Sequence, residues 1–399
     1  MTEKNLDFDT VIDRTHTNSL KYDFAVQRGK PKDVLPLWVA DMDFQVSSYI
    51  QEALSDSVAH GIFGYSEADG SYFEAVAGWM GRHYGWNVEE PWLVKTPGIV
   101  FALAQAVRAF TEPGDAVLLQ PVYYPFSQVI RDNGRKVVDN TLVQGEDGRY
   151  RIDFADFEEK MRSCKVKLFF LCNPHNPVGR VWTREELLRL GDICEKYGGI
   201  VVSDEIHADF VFEGSHQVLA GLKESYRKFV VTCTAPSKTF NLAGLQVSNI
   251  FIPDDALRRK FEQAVAASGY SQLNTMGLVA CEAAYRYGEE WYDAVKAYIR
   301  ENLAYAQHFL EEQIPQVKAV KPEGTYLLWV DFRSLGLSGK ELEDLIVKKA
   351  GLWLDSGDIF GAAGRGFERI NVACPRSVLT EALERLACAV REKEPIVCK

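Results

Sequence analysis

An α/β fold, with a mainly parallel central sheet flanked by helices and a smaller α+β domain appended, is what the sequence predicts. Three observations carry this. Short continuous apolar runs recur through the middle of the chain, as strands buried on both faces require. Amphipathic helical stretches separate them, and strand–helix–strand alternation places helices on both faces of a mainly parallel sheet. The last third breaks the rhythm with a long helix followed by strands and helices in turn.

The predicted strands are Ala116–Gln120, Lys167–Cys172, Ile200–Ser203, Phe229–Cys233 and Ser248–Ile252. Between the second and third, Thr183-Arg184-Glu185-Glu186 reads as a capping box. Leu187, Leu190, Cys194 and Tyr197 follow at helical spacing, and Gly198-Gly199 ends the helix. Further on, Trp291, Val295, Ile299, Leu303, Leu310 and Ile314 form one stripe of a long helix. After it come a strand (325–331), a helix (338–350), a Gly-rich loop (356–366), a strand (368–373) and a last helix (379–392). This divides the chain into an N-terminal segment (1–45) expected to pack with the small domain, a large domain (46–285) and a small C-terminal domain (286–399).

The 399 residues suffice for two or three domains, or for one large α/β domain with an appendage. Hydrophobic residues at 47% and charged residues at 25% are ordinary for a globular chain with a large core. A net charge of −11 argues against a general grip on nucleic acid or anionic membrane, and neither is an expected partner. Met1–Asp13 is polar and acidic, so no secretory signal is expected, and no apolar run reaches the length of a transmembrane helix. The eight cysteines form no C-x-x-C pair and fall in apolar segments, which reads as buried thiols in a reducing cytoplasm. No metal is expected.

In open parallel sheets ligands bind beyond the carboxyl ends of the strands, so the residues following each strand matter most. Thr96-Pro97-Gly98-Ile99 opens an apolar helix and could present free N–H groups to a phosphate, or be a plain turn with proline at the first helical position. Pro121-Val122-Tyr123-Tyr124-Pro125 could offer an aromatic face to a flat ligand, or pack structurally. Asn173-Pro174-His175-Asn176-Pro177-Val178-Gly179 is a rigid loop able to fix an amide. Asp204-Glu205-Ile206-His207 puts a carboxylate at a buried strand end, where it needs a partner: a helix N-terminus, an ion pair or a protonated ring nitrogen. A metal site from Asp204, His207 and Asp209 lacks an obvious third ligand at useful spacing. Ser237-Lys238 precedes an apolar stretch, and partial burial would favour the neutral amine that Schiff-base chemistry needs. Gly336–Lys340 lacks the Walker spacing, Gly361–Gly366 is no dinucleotide fingerprint, and Ser237-Lys238 is not part of an S-x-x-K motif.

The order of these strand ends, with Asn176-Pro177-Val178-Gly179, Asp204-Glu205 and Ser237-Lys238-Thr239-Phe240-Asn241, resembles the class I/II aminotransferase superfamily, over roughly residues 37–376. More narrowly, Pro36–Asp43, Phe63–Ser66, Val202–His207 and Arg369–Arg376 resemble the MalY/PatB branch of cystathionine β-lyase-type C–S lyases. His207 stands where most aminotransferases have Tyr, and Gln246 where they carry a phosphate-binding Arg; both departures fit the lyase branch.

The resemblance implies an aspartate aminotransferase-like fold and a pyridoxal 5′-phosphate cofactor. Lys238 would carry the cofactor as a Schiff base and shuttle the α-proton. Asp204 would pair with the pyridinium nitrogen, Asn176 and His207 would hydrogen-bond the phenolate oxygen, and Tyr123 would stack on the ring. Gly98, Ile99 and Ser237 would hold the phosphate, and Tyr65 would reach the phosphate of a neighbouring subunit, which implies a homodimer with shared sites. Arg369, with Asn176, would bind the substrate α-carboxylate. The implied reaction is α,β-elimination from L-cystathionine or related cysteine S-conjugates to a thiol, pyruvate and ammonia. The rivals are a class I/II aminotransferase and a lyase scaffold with an added regulatory protein-binding role.

Overall fold

The apolar runs assemble into one sheet because their residues are buried on both faces. In the computed structural model, which describes residues 3–121 and 124–392, this sheet has seven strands. They are β1 (Leu93–Thr96), β2 (Ala116–Leu119), β3 (Lys136–Asp139), β4 (Leu168–Cys172), β5 (Ile200–Asp204), β6 (Val230–Thr234) and β7 (Ser248–Phe251), ordered β1-β7-β6-β5-β4-β2-β3. Every residue of β2, β4 and β6 is buried. All strand pairs are parallel except those of β7, which runs antiparallel to both β6 and β1. The two reversals at β7 cancel, so the carboxyl ends of β1, β2, β4, β5 and β6 share one edge of the sheet. The register sets Asp204 beside Cys172 of β4 and Cys233 of β6.

Helix α1 (Ile99–Phe110) leaves β1 through Pro97-Gly98 and buries Ile99, Ala102, Leu103, Ala106 and Val107, the spacing of one helical face. Helix α2 (Arg184–Tyr197) starts at the expected capping box: the Thr183 hydroxyl accepts from the Glu186 N–H at 3.2 Å, and the Glu186 carboxylate accepts from the Thr183 N–H at 2.9 Å. Gly198, at φ 70°, ends it in the left-handed conformation that glycine adopts without penalty.

The long helix is α3 (Glu289–Gln313), with Trp291, Val295, Ile299, Leu303 and Leu310 buried and Ile314 just past its end. It is followed by an antiparallel sheet of β8 (Lys318–Ala319), β9 (Leu327–Asp331), β10 (Asp355–Ser356) and β11 (Phe367–Asn371), ordered β8-β9-β11-β10, and by α4 (Arg376–Arg391). The helix expected over 338–350 starts at the Ser338 cap but is α-helical only through Gly339–Glu343. It widens to a π turn over Asp344–Lys349, where three successive apolar residues, Leu345, Ile346 and Val347, all turn inward. Leu35–Pro36 pairs in parallel with Leu352–Trp353, and Asn371 N–H donates to Leu37 O at 2.9 Å, which hydrogen-bonds the N-terminal segment to the C-terminal sheet region.

Five cysteines are buried as free thiols, but Cys164 and Cys388 are exposed, against the expectation of buried thiols throughout. Cys164 caps the helix Phe154–Ser163 between polar Ser163 and Lys165, and Cys388 falls on the outer face of α4, where helical phase overrides its apolar neighbours. Cys398 lies outside the described residues. Among the described residues no helix is long and apolar enough to cross a membrane.

Candidate active site

Lys238 sits in the short helical turn Pro236–Thr239 that follows β6. Asp209 anchors this turn. Its buried carboxylate accepts from the Thr239 hydroxyl, from the Tyr84 hydroxyl and from Trp79 Nε1 at 3.0 Å. Half-buried Lys238 donates from Nζ to the Ala40 carbonyl at 2.6 Å, and the Tyr326 hydroxyl donates to the same oxygen at 3.1 Å. Ala40 belongs to a strap, residues 38–44, whose carbonyls are used in turn. Trp38 O accepts from Arg369, Val39 O and Asp41 O from Asn371 Nδ2, and Met42 O and Phe44 O from Asn241 Nδ2.

Burial brings the Lys238 ammonium down to about 8; the Asp41 carboxylate opposes this, Arg369 adds to it and Asp204 opposes it. A depressed lysine is neutral, and so nucleophilic, at a lower pH than a free one. Capture of an aldehyde by the cofactor-free protein is therefore expected to quicken with rising pH and level off above about 8. A stopped-flow pH series of pyridoxal 5′-phosphate uptake checks this; continued acceleration through pH 10 would contradict it.

Asp204 ends β5 with its carboxylate buried. Among the described residues its one hydrogen bond is from Ile206 N–H at 3.1 Å. Burial pushes it up to about 7, with Ile206 N–H and Lys238 opposing and Glu205 adding to the rise. A cation placed against it would restore the ionised form.

The Asn173–Gly179 loop after β4 holds two cis bonds, Asn173-Pro174 and Asn176-Pro177. It delivers Asn176 to β11, where the Asn176 Oδ1 accepts from Arg369 Nη1 at 2.9 Å. That leaves the amide Nδ2 as the donor for anything entering the cleft. Arg369 is buried. Its Nη2 donates to Trp38 O at 2.9 Å and to the Asp355 carboxylate, and among the described residues its Nε has no partner. His207 is buried, with Nδ1 unpartnered among the described residues and its ring edge-on to Tyr326 at 5.8 Å. Burial, then Lys238 and Arg369, hold its imidazole well below the usual range, so it is neutral at physiological pH.

Gly98 caps α1 without a side-chain bond, so no cap side chain accepts from the first N–H groups of that helix. Its φ of 150° suits glycine, and a Cβ there would meet nothing within 4 Å. Ile99 is buried just behind it, and Ser237 is half-buried beside Lys238. Tyr123 lies outside the described residues. Tyr65 is 99% exposed, apart from Lys238; it lines a recess of about 500 Å³ with Pro97 and Gln246.

The structure thus gathers Lys238, Asp204, His207, Asn176 and Arg369 into one cluster, with Ser237 beside Lys238 and Gly98 and Ile99 at the same strand-end edge of the sheet. Sequence reasoning missed Tyr326, Asp355 and the Ala40 carbonyl, and weighed Asp209 only as a metal ligand rather than as the anchor of the Lys238 turn. Gly324-Thr325-Tyr326 entering an apolar strand was the only signal for Tyr326. A backbone carbonyl leaves no trace in a side-chain pattern.

These groups fit a pyridoxal 5′-phosphate. An amine of lowered basicity suits the aldehyde, and a buried carboxylate without a cation suits the ring nitrogen. Donors on Asn176 and His207 suit the phenolic oxygen, and uncapped helix N–H groups suit the phosphate.

The family model for aminotransferases of class I and II matches residues 32–386. Cystathionine beta-lyase PatB of Bacillus subtilis (strain 168) is 45% identical over 387 residues, 96% of this chain and 100% of that protein. Protein MalY of Escherichia coli (strain K12) is 32% identical over 389 residues, 96% and 99% of the two chains. The crystal structure of cystalysin from Treponema denticola, which contains pyridoxal 5′-phosphate, matches with a TM-score of 0.94 at 38% identity, covering 97% of this chain and 99% of that one.

Proposed function

The chain belongs to the class I and II aminotransferase family, and from that premise we propose that it is a pyridoxal-phosphate-dependent carbon–sulfur β-lyase acting on L-cystathionine or related cysteine S-conjugates. The observation that carries the lyase reading is the whole-length similarity to a cystathionine beta-lyase, joined to a cleft that retains amine, carboxylate and guanidinium. When bound, the cofactor supplies an electron sink for the pair released at Cα.

The rest falls to the chain's own residues. Arg369 and Asn176 hold the α-carboxylate and so fix the orientation of the Cα–H bond. Lys238 Nζ takes the Cα proton, and the thiolate departs from Cβ. Asp204, ionised when a cationic ring nitrogen stands against it, would keep that nitrogen protonated. Asn176 Nδ2 and His207 would donate to the phenolic oxygen, and Gly98 N–H, Ile99 N–H and the Ser237 hydroxyl would hold the phosphate; Tyr123, outside the described residues, would be the residue to stack on the ring.

The same reading has the protein act in the cytoplasm as a homodimer, with Tyr65 reaching the partner's phosphate. Exposed Ile62, Phe63 and Tyr65 on one loop support the dimer, and a solution mass twice the 45.0 kDa of the chain is its test. The division into residues 1–45, 46–285 and 286–399 goes with it.

Incubation of the loaded protein with L-cystathionine and no keto acid is expected to release pyruvate, ammonia and a thiol in equal amounts. A protein that instead stalls after one turnover, with its cofactor in the amine form, would be an aminotransferase.

A further inference from the structure

Arg369 has five N–H donors, and counting where they go shows that its carboxylate-binding edge is already in use. Nη2 spends both hydrogens, one on Trp38 O at 2.9 Å and one on the Asp355 carboxylate. Nη1 spends one on Asn176 Oδ1 at 2.9 Å. Nε is buried and, among the described residues, unpartnered. A carboxylate docks two-pronged either on Nε with one Nη or on the two Nη atoms. The first pairing leaves a free prong on Nε and the second a free prong on Nη1, but Nη2, the partner prong, has no free hydrogen. A two-pronged substrate contact through Nη2 therefore needs one of its acceptors to give way.

The two acceptors differ in freedom. Trp38 O is part of a hydrogen-bonded run. Leu37 N–H donates to Trp353 O at 2.8 Å, Asn371 N–H donates to Leu37 O at 2.9 Å, and the Trp38 indole stacks on Trp353 with ring centres 4.3 Å apart. Asp355 reaches Arg369 through a side chain that can rotate about two bonds while its backbone stays paired to Arg369 in the sheet.

We propose that Asp355 is the resident carboxylate of the Arg369 clamp: it occupies Nη2 in the absence of substrate and is displaced from it by the substrate α-carboxylate. The proposal rests on the reading of Arg369 as that clamp. Asp355 compensates a buried guanidinium that would otherwise stand as an unpaired charge, and it weakens carboxylate binding by competing for the same donor. This makes Asp355 a residue that sets affinity for one functional group rather than one that takes part in bond breaking.

The test uses the cofactor-loaded protein and calorimetric binding of L-alanine, which bears the α-carboxylate and no leaving group, against L-alaninamide, which lacks the carboxylate. Wild type should prefer L-alanine. Asp355→Asn, which keeps the shape and an acceptor but not the charge, should bind L-alanine about tenfold tighter, the weight of one charged hydrogen bond, and L-alaninamide no differently. Asp355→Ser should move the same way, and Asp355→Glu should return the preference towards wild type. An unchanged or weakened L-alanine affinity in both neutral variants would overturn the proposal and leave the clamp reading standing. A wild type that binds the two ligands equally would overturn the clamp reading and the proposal together. Neither outcome depends on whether the protein cleaves L-cystathionine.

Discussion

Replacing Lys238 by alanine is expected to abolish the visible absorbance of the cofactor-loaded protein and to cut turnover of L-cystathionine by about 10⁴-fold or more, beyond a simple acid–base contribution. Two tasks are lost together: the covalent anchor for the aldehyde and the amine placed to move the Cα proton. The fold should survive. Among the described residues the Lys238 side chain makes one hydrogen bond, to Ala40 O, and the Tyr326 hydroxyl still holds that oxygen at 3.1 Å. Asp209 still anchors the turn through Thr239. A spectrum, a pyruvate assay and a thermal melt on the same preparation separate these effects. Full turnover with an intact melt would remove Lys238 from the site.

Replacing Asp204 by asparagine is expected to lower kcat by about 10²–10³-fold, the scale of losing one preorganised electrostatic contact, while the protein still takes up cofactor through Lys238. An amide cannot keep a ring nitrogen protonated. The cofactor-free variant should melt higher than wild type at pH 8, for a reason that can be signed. Burial raises Asp204 from its ordinary 3.8 to about 7 in the folded chain. The charged form is therefore penalised by folding: the cost is absent below pH 3.8, grows as pH rises, and is complete above about 7. The amide removes it. Lower activity with higher cofactor-free stability is the signature of a carboxylate kept for function. A variant that lost stability and kept kcat would make Asp204 a structural acid.

Much of this arrangement is legible in the chain. The strands over 116–120, 167–172, 200–203, 229–233 and 248–252 need burial on both faces, so continuous apolar runs announce them to within a residue or two. The Thr183/Glu186 box and the Gly198 stop are local chemistry, readable because both partners lie within four residues. Helical phase proved harder at 338–350, where a π turn breaks the period, and at Cys388, where the neighbours are apolar and the position is not.

The sequence by itself determined which residues end the parallel strands. Hydrophobic periodicity sets where each strand stops, and the sheet then lines those stops along one edge. Asp204, Lys238 and the Asn176 loop follow from that. What only the tertiary structure decided is which groups complete them. Ala40 meets Lys238 across 198 positions, Trp38 meets Arg369 across 331, and Tyr326 meets Ala40 across 286. Asp355 and Arg369 meet through the register of β10 against β11. These contacts depend on how the N-terminal strap lies over the C-terminal sheet. That placement is the sum of many weak packing terms with no local pattern, so neither the resident carboxylate nor the shared carbonyl could be read from the residues alone.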